Sequence, residues 1–313
     1  MTQTTRETVS RYDASTAVDR SSWILRLEEI CEEDGYFERL GPRHFAFFAD
    51  EGATLLVSFE TLADIRAEPR QMPKGMALAE RHGWSHLCVI AEGGTWYRDQ
   101  AVYRYFDRLV EDAFFEDFDR VVFYGARMGG YAACAFSVCA PEATVLAVQP
   151  RATLDPSVAG WDRRHIAEHR LCFTDRYGYA PDMTEGAGRV FILCDPRQRE
   201  DAMHAALFIR PYVRQLRTEF LGEKVESGLL ALGILPDLID AAGSGTLCPA
   251  LFHRIWRRRR AYGPWLTAIL AEAEQTGHPA REAMICRAVT RRFGSPLFRR
   301  RLAEIEARLA VDA

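Results

Sequence analysis

The 313-residue sequence predicts an α/β protein: a mainly parallel sheet with helices on both faces, followed by a C-terminal all-α module. Three observations carry this. Short, fully apolar runs (Leu87–Ala91, Val121–Tyr124, Val145–Val148, Val190–Cys194) recur between helix-length segments, as strands buried on both faces require. Residues 121–138 read as an apolar strand, a glycine turn and a small-residue helix. Near Gly243–Gly245 the composition changes. From Ala250 onward thirteen arginines stand against six acidic residues, a net +7 that leaves −11 for the rest of a chain whose total is −4.

The elements follow in order. Residues Ser21 to Glu33 have helical spacing, with Trp23, Ile24, Leu27 and Ile30 on one stripe. Phe45–Ala49 and Leu55–Phe59 read as short strands separated by the turn signal Asp50-Glu51-Gly52. Val102–Phe114 and Gly130–Val138 are helix-length, and Thr218–Leu221 is a weaker strand candidate. The segment Arg151–Gly188 is long for a connection and rich in aromatics (Trp161, Phe173, Tyr177, Tyr179), which fits a lid or a decoration. Helices are expected near Pro249–Arg259, Gly263–Glu274, Pro279–Arg292 and Ser295–Leu309, with Pro264, Pro279 and Pro296 at helix starts, packed as two hairpins. These divide the chain into a domain over 1–245, with a lid candidate at 151–188, and a basic helical module over 246–313.

Composition narrows the function classes. With 48% apolar and 27% charged residues, the chain is ordinary globular protein. The first twenty residues carry no apolar core of signal-peptide length, and no stretch approaches the roughly 20 apolar residues of a membrane span. Eight scattered cysteines without a C-x-x-C or a zinc-type Cys/His cluster fit a reducing cytoplasm. There is no P-loop and no G-x-G-x-x-G after a strand, so no nucleotide cofactor is indicated. His165 and His169 are spaced as in zinc helices, yet lack the glutamate of H-E-x-x-H, so no metal is expected. Arg254, Arg257–Arg260, Arg291, Arg292 and Arg299–Arg301 make a basic surface. Such a surface binds phosphates of nucleic acid or membrane. A solvated face, docking onto the acidic domain or a protein partner is expected instead, because no nucleic-acid-binding fold accompanies it.

The most informative stretch is Gly125-Ala126-Arg127-Met128-Gly129-Gly130. With the strand before it and the Tyr-Ala-Ala helix after it, it resembles the nucleophile elbow of the α/β-hydrolase superfamily, usually G-x-S-x-G. The resemblance covers roughly residues 40–240. Where the family has a serine, this chain has Arg127, permanently protonated and no nucleophile. The resemblance implies an acid after a later strand and a histidine after the last one. Asp195 fits the acid. The turn Phe220–Val225 offers Glu223 or Lys224 and no histidine. It also implies an oxyanion hole from the Met128 amide and a second amide at Ser58 or Phe59.

Three readings of Arg127 are open at this stage. It can form a salt-bridge cluster with Asp195 and Glu223 in place of the triad. It can anchor a small carboxylate or phosphate at the helix N-terminus. Or the chain is an atypical hydrolase or acyltransferase of small esters or thioesters that uses other groups. For that last case, Ser137 and Cys134 lie inside the helix, and His204, on a helix over Asp201–Phe208, is expected as a surface residue, with displaced base as the alternative. His44 and His86 read as structural.

Overall fold

The computed structural model describes residues 10–311. Its elements are α1 (Arg20–Cys31), β1 (Gly35–Leu40), β2 (His44–Ala49), β3 (Thr54–Thr61), α2 (Leu62–Ala67), α3 (Met76–His82), β4 (Ser85–Ala91), α4 (Gln100–Glu111), β5 (Arg120–Ala126), α5 (Met128–Phe136) and β6 (Thr144–Val148). After these come α6 (Pro156–Ala159), α7 (Ala180–Met183), β7 (Arg189–Cys194), α8 (Arg199–Leu207), β8 (Val213–Arg217), α9 (Val225–Ala231), α10 (Ile234–Gly243), α11 (Pro249–Ile255), α12 (Gly263–Gln275), α13 (Pro279–Phe293) and α14 (Pro296–Val311).

The eight strands form one sheet in the order β1-β2-β4-β3-β5-β6-β7-β8. β2 pairs antiparallel with both neighbours, and every other pairing is parallel. Side chains alternate across the pleat. Leu55, Val57, Phe59, Phe123, Val145 and Ile192 face α4 and α5 in one apolar layer. Leu56, Ile90, Val122, Leu146 and Leu193 face α1, α3, α9 and α10 in the other. Fully apolar strands are what a sheet covered on both faces demands.

Several expectations are corrected. β1 is a strand the sequence reading omits: its Gly35-Tyr36-Phe37-Glu38-Arg39 has no apolar run, and it is held as the partner of β2 through Tyr36↔Phe48 and Phe37↔Phe47. The two early strands do not pair with each other, since β3 lies between β4 and β5. The last strand is β8, at the edge of the sheet, and Thr218–Leu221 is the turn after it; only Val213 and Leu216 of β8 are buried, one in each apolar layer, so it has no apolar run. The change of character at 245 is not the edge of the core. Leu247, Phe252 and Trp256 are buried in the same layer as the sheet. A separate core begins with α12 and contains Leu266, Leu270, Cys286, Val289, Phe298 and Ile305. α11 therefore belongs with the sheet, and α12–α14 form a three-helix unit instead of two hairpins.

Candidate functional site

β5 delivers the chain to Arg127 at the carboxyl edge of the sheet, and α5 leaves from it. Arg127 has φ 54° and ψ −113°, a left-handed conformation that costs a non-glycine residue on the order of 1–3 kcal/mol. Its backbone is held from both sides, with its N–H donating to the Val148 carbonyl at 2.8 Å and its carbonyl accepting from Tyr131 N–H at 2.9 Å. The glycines are steric necessities. A Cβ on Gly125 would lie 2.1 Å from the Gly129 carbonyl oxygen, and one on Gly129 would lie 2.2 Å from that of Phe59. The strained turn that exposes a nucleophile is thus intact around a residue that cannot be one.

The two other positions that the resemblance implies lie after β7 and after β8. Asp195 follows β7 and is 1% exposed. Its Oδ1 accepts from Arg197 N–H at 3.0 Å and its Oδ2 from Gly222 N–H at 2.8 Å. Gly222 lies in the loop after β8, where the family carries its histidine. Glu223 and Lys224 in that loop are exposed. Arg127 Nη2 reaches the Glu223 backbone carbonyl in a long contact of 3.5 Å. The salt-bridge cluster does not form: the Glu223 group facing Arg127 is a carbonyl, Asp195 is committed to amides, and the Arg127 guanidinium is exposed. Strand order and elbow together decide the architecture.

This is an α/β-hydrolase fold.

The amides expected for an oxyanion hole lie on two different kinds of element. Met128 begins α5, where first-turn amides lack helical partners, and its Sδ accepts from Trp96 N–H at 3.1 Å. Ser58 and Phe59 are not on a loop: both lie inside β3, between β4 and β5, and α2 starts directly at Leu62. Ser58 Oγ is 2.9 Å from His86 Nε2, both fully buried.

His204 is 0% exposed, contrary to a surface residue. It belongs to a polar network that no local spacing announces, because its members come from three separate segments. Its Nδ1 accepts from Ala152 N–H at 3.2 Å, so Nε2 bears the proton given to Asp162 Oδ2 at 3.0 Å. Both ring nitrogens are used, and burial pushes the imidazole pKa down against the pull of Asp162. Burial alone would raise Asp162, but bonds from Arg164 and His204 outweigh it and hold the carboxyl well below its usual range. Asp201 accepts from Gln149 (2.6 Å), Arg164 (2.7 Å) and Arg151 (3.1 Å). Arg151 is 5% exposed, and its pKa is lowered by burial.

This network fastens the segment 151–188 beside the elbow. A second anchor is Arg98, whose side chain is 1% exposed. It pairs with Asp175 and donates to the carbonyls of Cys172 (2.8 Å) and Arg176 (3.0 Å) and to Tyr131 Oη (3.1 Å). Trp96 packs on His165 and Tyr131, closing the gap between loop and segment. A cavity of about 780 Å³ opens at the opposite end of the strands, beside Phe115, Phe118, Arg120, Cys139, Glu142 and Arg189. Among the described residues no cluster of side chains fits a metal ion, and no helix is long and apolar enough to cross a membrane.

No protein-family model and no curated protein sequence matches the chain. Several solved structures are similar to it. S-formylglutathione hydrolase from Agrobacterium tumefaciens is 12% identical at a TM-score of 0.43, over 64% of this chain and 89% of that one. An esterase domain from a Rhodothermus marinus protein is 19% identical at 0.40, over 71% and 96%. The capsule O-acetyltransferase of Neisseria meningitidis serogroup A is 10% identical at 0.41, over 62% and 91%.

Proposed function

We propose that this α/β-hydrolase-fold chain has lost serine-hydrolase chemistry and binds a small carboxylate or phosphate at its elbow. The observation that carries the reading is the Arg127 guanidinium, exposed and, among the described residues, without a carboxylate partner at the start of α5. A planar, permanent cation suits a carboxylate or phosphate in a bidentate contact, and the amino end of the helix adds to the same field. Loss of chemistry is supported by two absences in the sequence: no hydroxyl at 127 and no histidine between 218 and 225. The atypical-enzyme alternative has little support. Ser137 is fully buried with its Oγ donating to the Cys134 carbonyl at 2.8 Å, burial holds the Cys134 thiol above its ordinary range, and His204 has no free nitrogen.

Fluorophosphonate labelling and p-nitrophenyl acetate turnover should both sit at background. Arg127→Ser should also stay inactive, since a serine without a base recovers only weak catalysis. Exposed substitutions fall within about 0.5 kcal/mol, so Arg127→Ser should unfold near the wild-type midpoint. It should lose the thermal protection that acetate or inorganic phosphate gives the wild type, which amounts to about 2.7 kcal/mol at 100 times the dissociation constant. Stoichiometric labelling of a wild-type serine defeats the loss of chemistry. Undiminished anion protection in Arg127→Ser defeats the binding site.

A further inference from the structure

The turn between α13 and α14 is strongly one-sided in charge. Residues 291–301 read Arg-Arg-Phe-Gly-Ser-Pro-Leu-Phe-Arg-Arg-Arg, five arginines and no acid. Gly294, at φ 65°, ends α13, and Pro296 opens α14, so 293–297 form the tip of a helical hairpin. Phe298 is buried and pins the tip to the core shared by α12, α13 and α14. The two apolar residues beside it point outward: Phe293 is 45% exposed and Leu297 51%. Arg292 lies over the Phe293 ring at 5.0 Å. Among the described residues Arg291, Arg292 and Arg299 have no carboxylate partner, and Arg300 has only an exposed one, Glu304, at 3.8 Å. Arg301 is instead consumed inside the unit by Glu274, Glu282 and Glu304.

We propose that this tip docks on an anionic lipid bilayer, Phe293 and Leu297 entering the headgroup boundary while Arg291, Arg292, Arg299 and Arg300 meet lipid phosphates. Arginines near an anionic surface and inserted apolar side chains are the two signals that together hold a protein on a membrane. A bilayer fits better than a nucleic acid. Strand-binding surfaces are grooves lined with stacking aromatics, whereas this is a hairpin tip with an aliphatic side chain and a single ring already covered by its own arginine. The charge has no competing use within the fold, because the remaining acids of α12–α14 pair with Arg197, Arg287, Arg301 and Arg308.

The test is co-sedimentation of the full chain with phosphatidylcholine vesicles, with and without phosphatidylglycerol. Binding to the mixed vesicles only, weakened by salt, is expected. Arg291→Gln and Arg292→Gln should each lower the partition coefficient about fivefold. Phe293→Ser with Leu297→Ser, which leaves the charge unaltered, should lower it at least as much, and the unfolding midpoint should stay unchanged because both sites are exposed. Absence of binding to mixed vesicles overturns the proposal. So does binding indifferent to the Phe293/Leu297 pair, and so does a duplex RNA that displaces the vesicles and is itself indifferent to that pair.

Discussion

Glu60 shows how much a single buried carboxyl can impose. It ends β3 at 8% exposure. Its Oε2 accepts from Lys74 N–H at 3.0 Å, and Ser58 Oγ donates to its Oε1 at 3.3 Å. Burial pushes its pKa from 4.5 up to about 7, with the Lys74 amide and charge pulling the other way. Lys74, one of two lysines in the chain, lies 3.7 Å from Glu226, which also accepts from Tyr124 Oη at 2.7 Å. The folded state therefore holds the Glu60 proton more tightly than the unfolded state. That contribution is fully present below pH 4.5 and disappears as pH rises through about 7, on the order of 3 kcal/mol in total. Between pH 5 and 8 the urea midpoint of the wild type should fall more steeply than that of Glu60→Gln. Parallel curves would mean that Glu60 does not titrate there. None of this was legible in the sequence, where Glu60 is one acid after an apolar run. Its burial follows from Lys74 and Glu226, brought over it by a loop and by α9.

The elements divide by how local their causes are. α4 could be placed from its own residues, capped by Asp99, whose side chain accepts from Ala101 N–H at 2.8 Å. The elbow was legible for the same reason: Gly125, Arg127 and Gly129 are within five residues, and the close approach at Gly125 is to Gly129 itself, although that at Gly129 is to Phe59 of β3. β1 and β8 were not, because edge strands borrow their order from a partner. The segment 151–188 was legible as long and aromatic, but what holds it was not, because Arg164 meets Asp201 and Asp162 meets His204 across some 40 residues of sequence. Removing the Asp162 charge leaves Arg164 and Arg151 facing a weaker partner in a buried site. Asp162→Asn should lower stability by about 3 kcal/mol, the lower end for a broken buried pair. Limited proteolysis should then cut within 151–188 before the sheet. A variant as stable and as resistant as wild type would show that Arg98 alone secures the segment.

For the whole molecule, the question is where the first domain stops. Charge suggested residue 245, and the arginine-rich stretch does begin there. Packing places the border later, because Leu247, Phe252 and Trp256 fill the layer beneath β8 and α10. A chain ending after Ser244 should lose cooperative unfolding, since it gives up three buried apolar side chains, each contributing roughly 1.5–3 kcal/mol. One ending after Tyr262 keeps them and should unfold in one transition, losing among its contacts those of Trp265 with the Glu219 carbonyl (2.9 Å), Phe220 and Arg259 and that of Arg197 with Glu272. Equal behaviour of the two truncations would put the border back at 245. Charge patterning misled here because it records which surface faces water, while the border is drawn by what lies beneath it.

Asp195 gives the fold a one-way character. Its two oxygens are bonded to the amides of Arg197 and Gly222, so the acid that would steady a histidine now staples the loop on which that histidine would stand. A serine returned to 127 would find no base. A histidine placed at 223 would have to share Asp195 with the two amides that already hold its loop. A change at 127 or at 223 alone therefore supplies one member of a set and leaves the others missing.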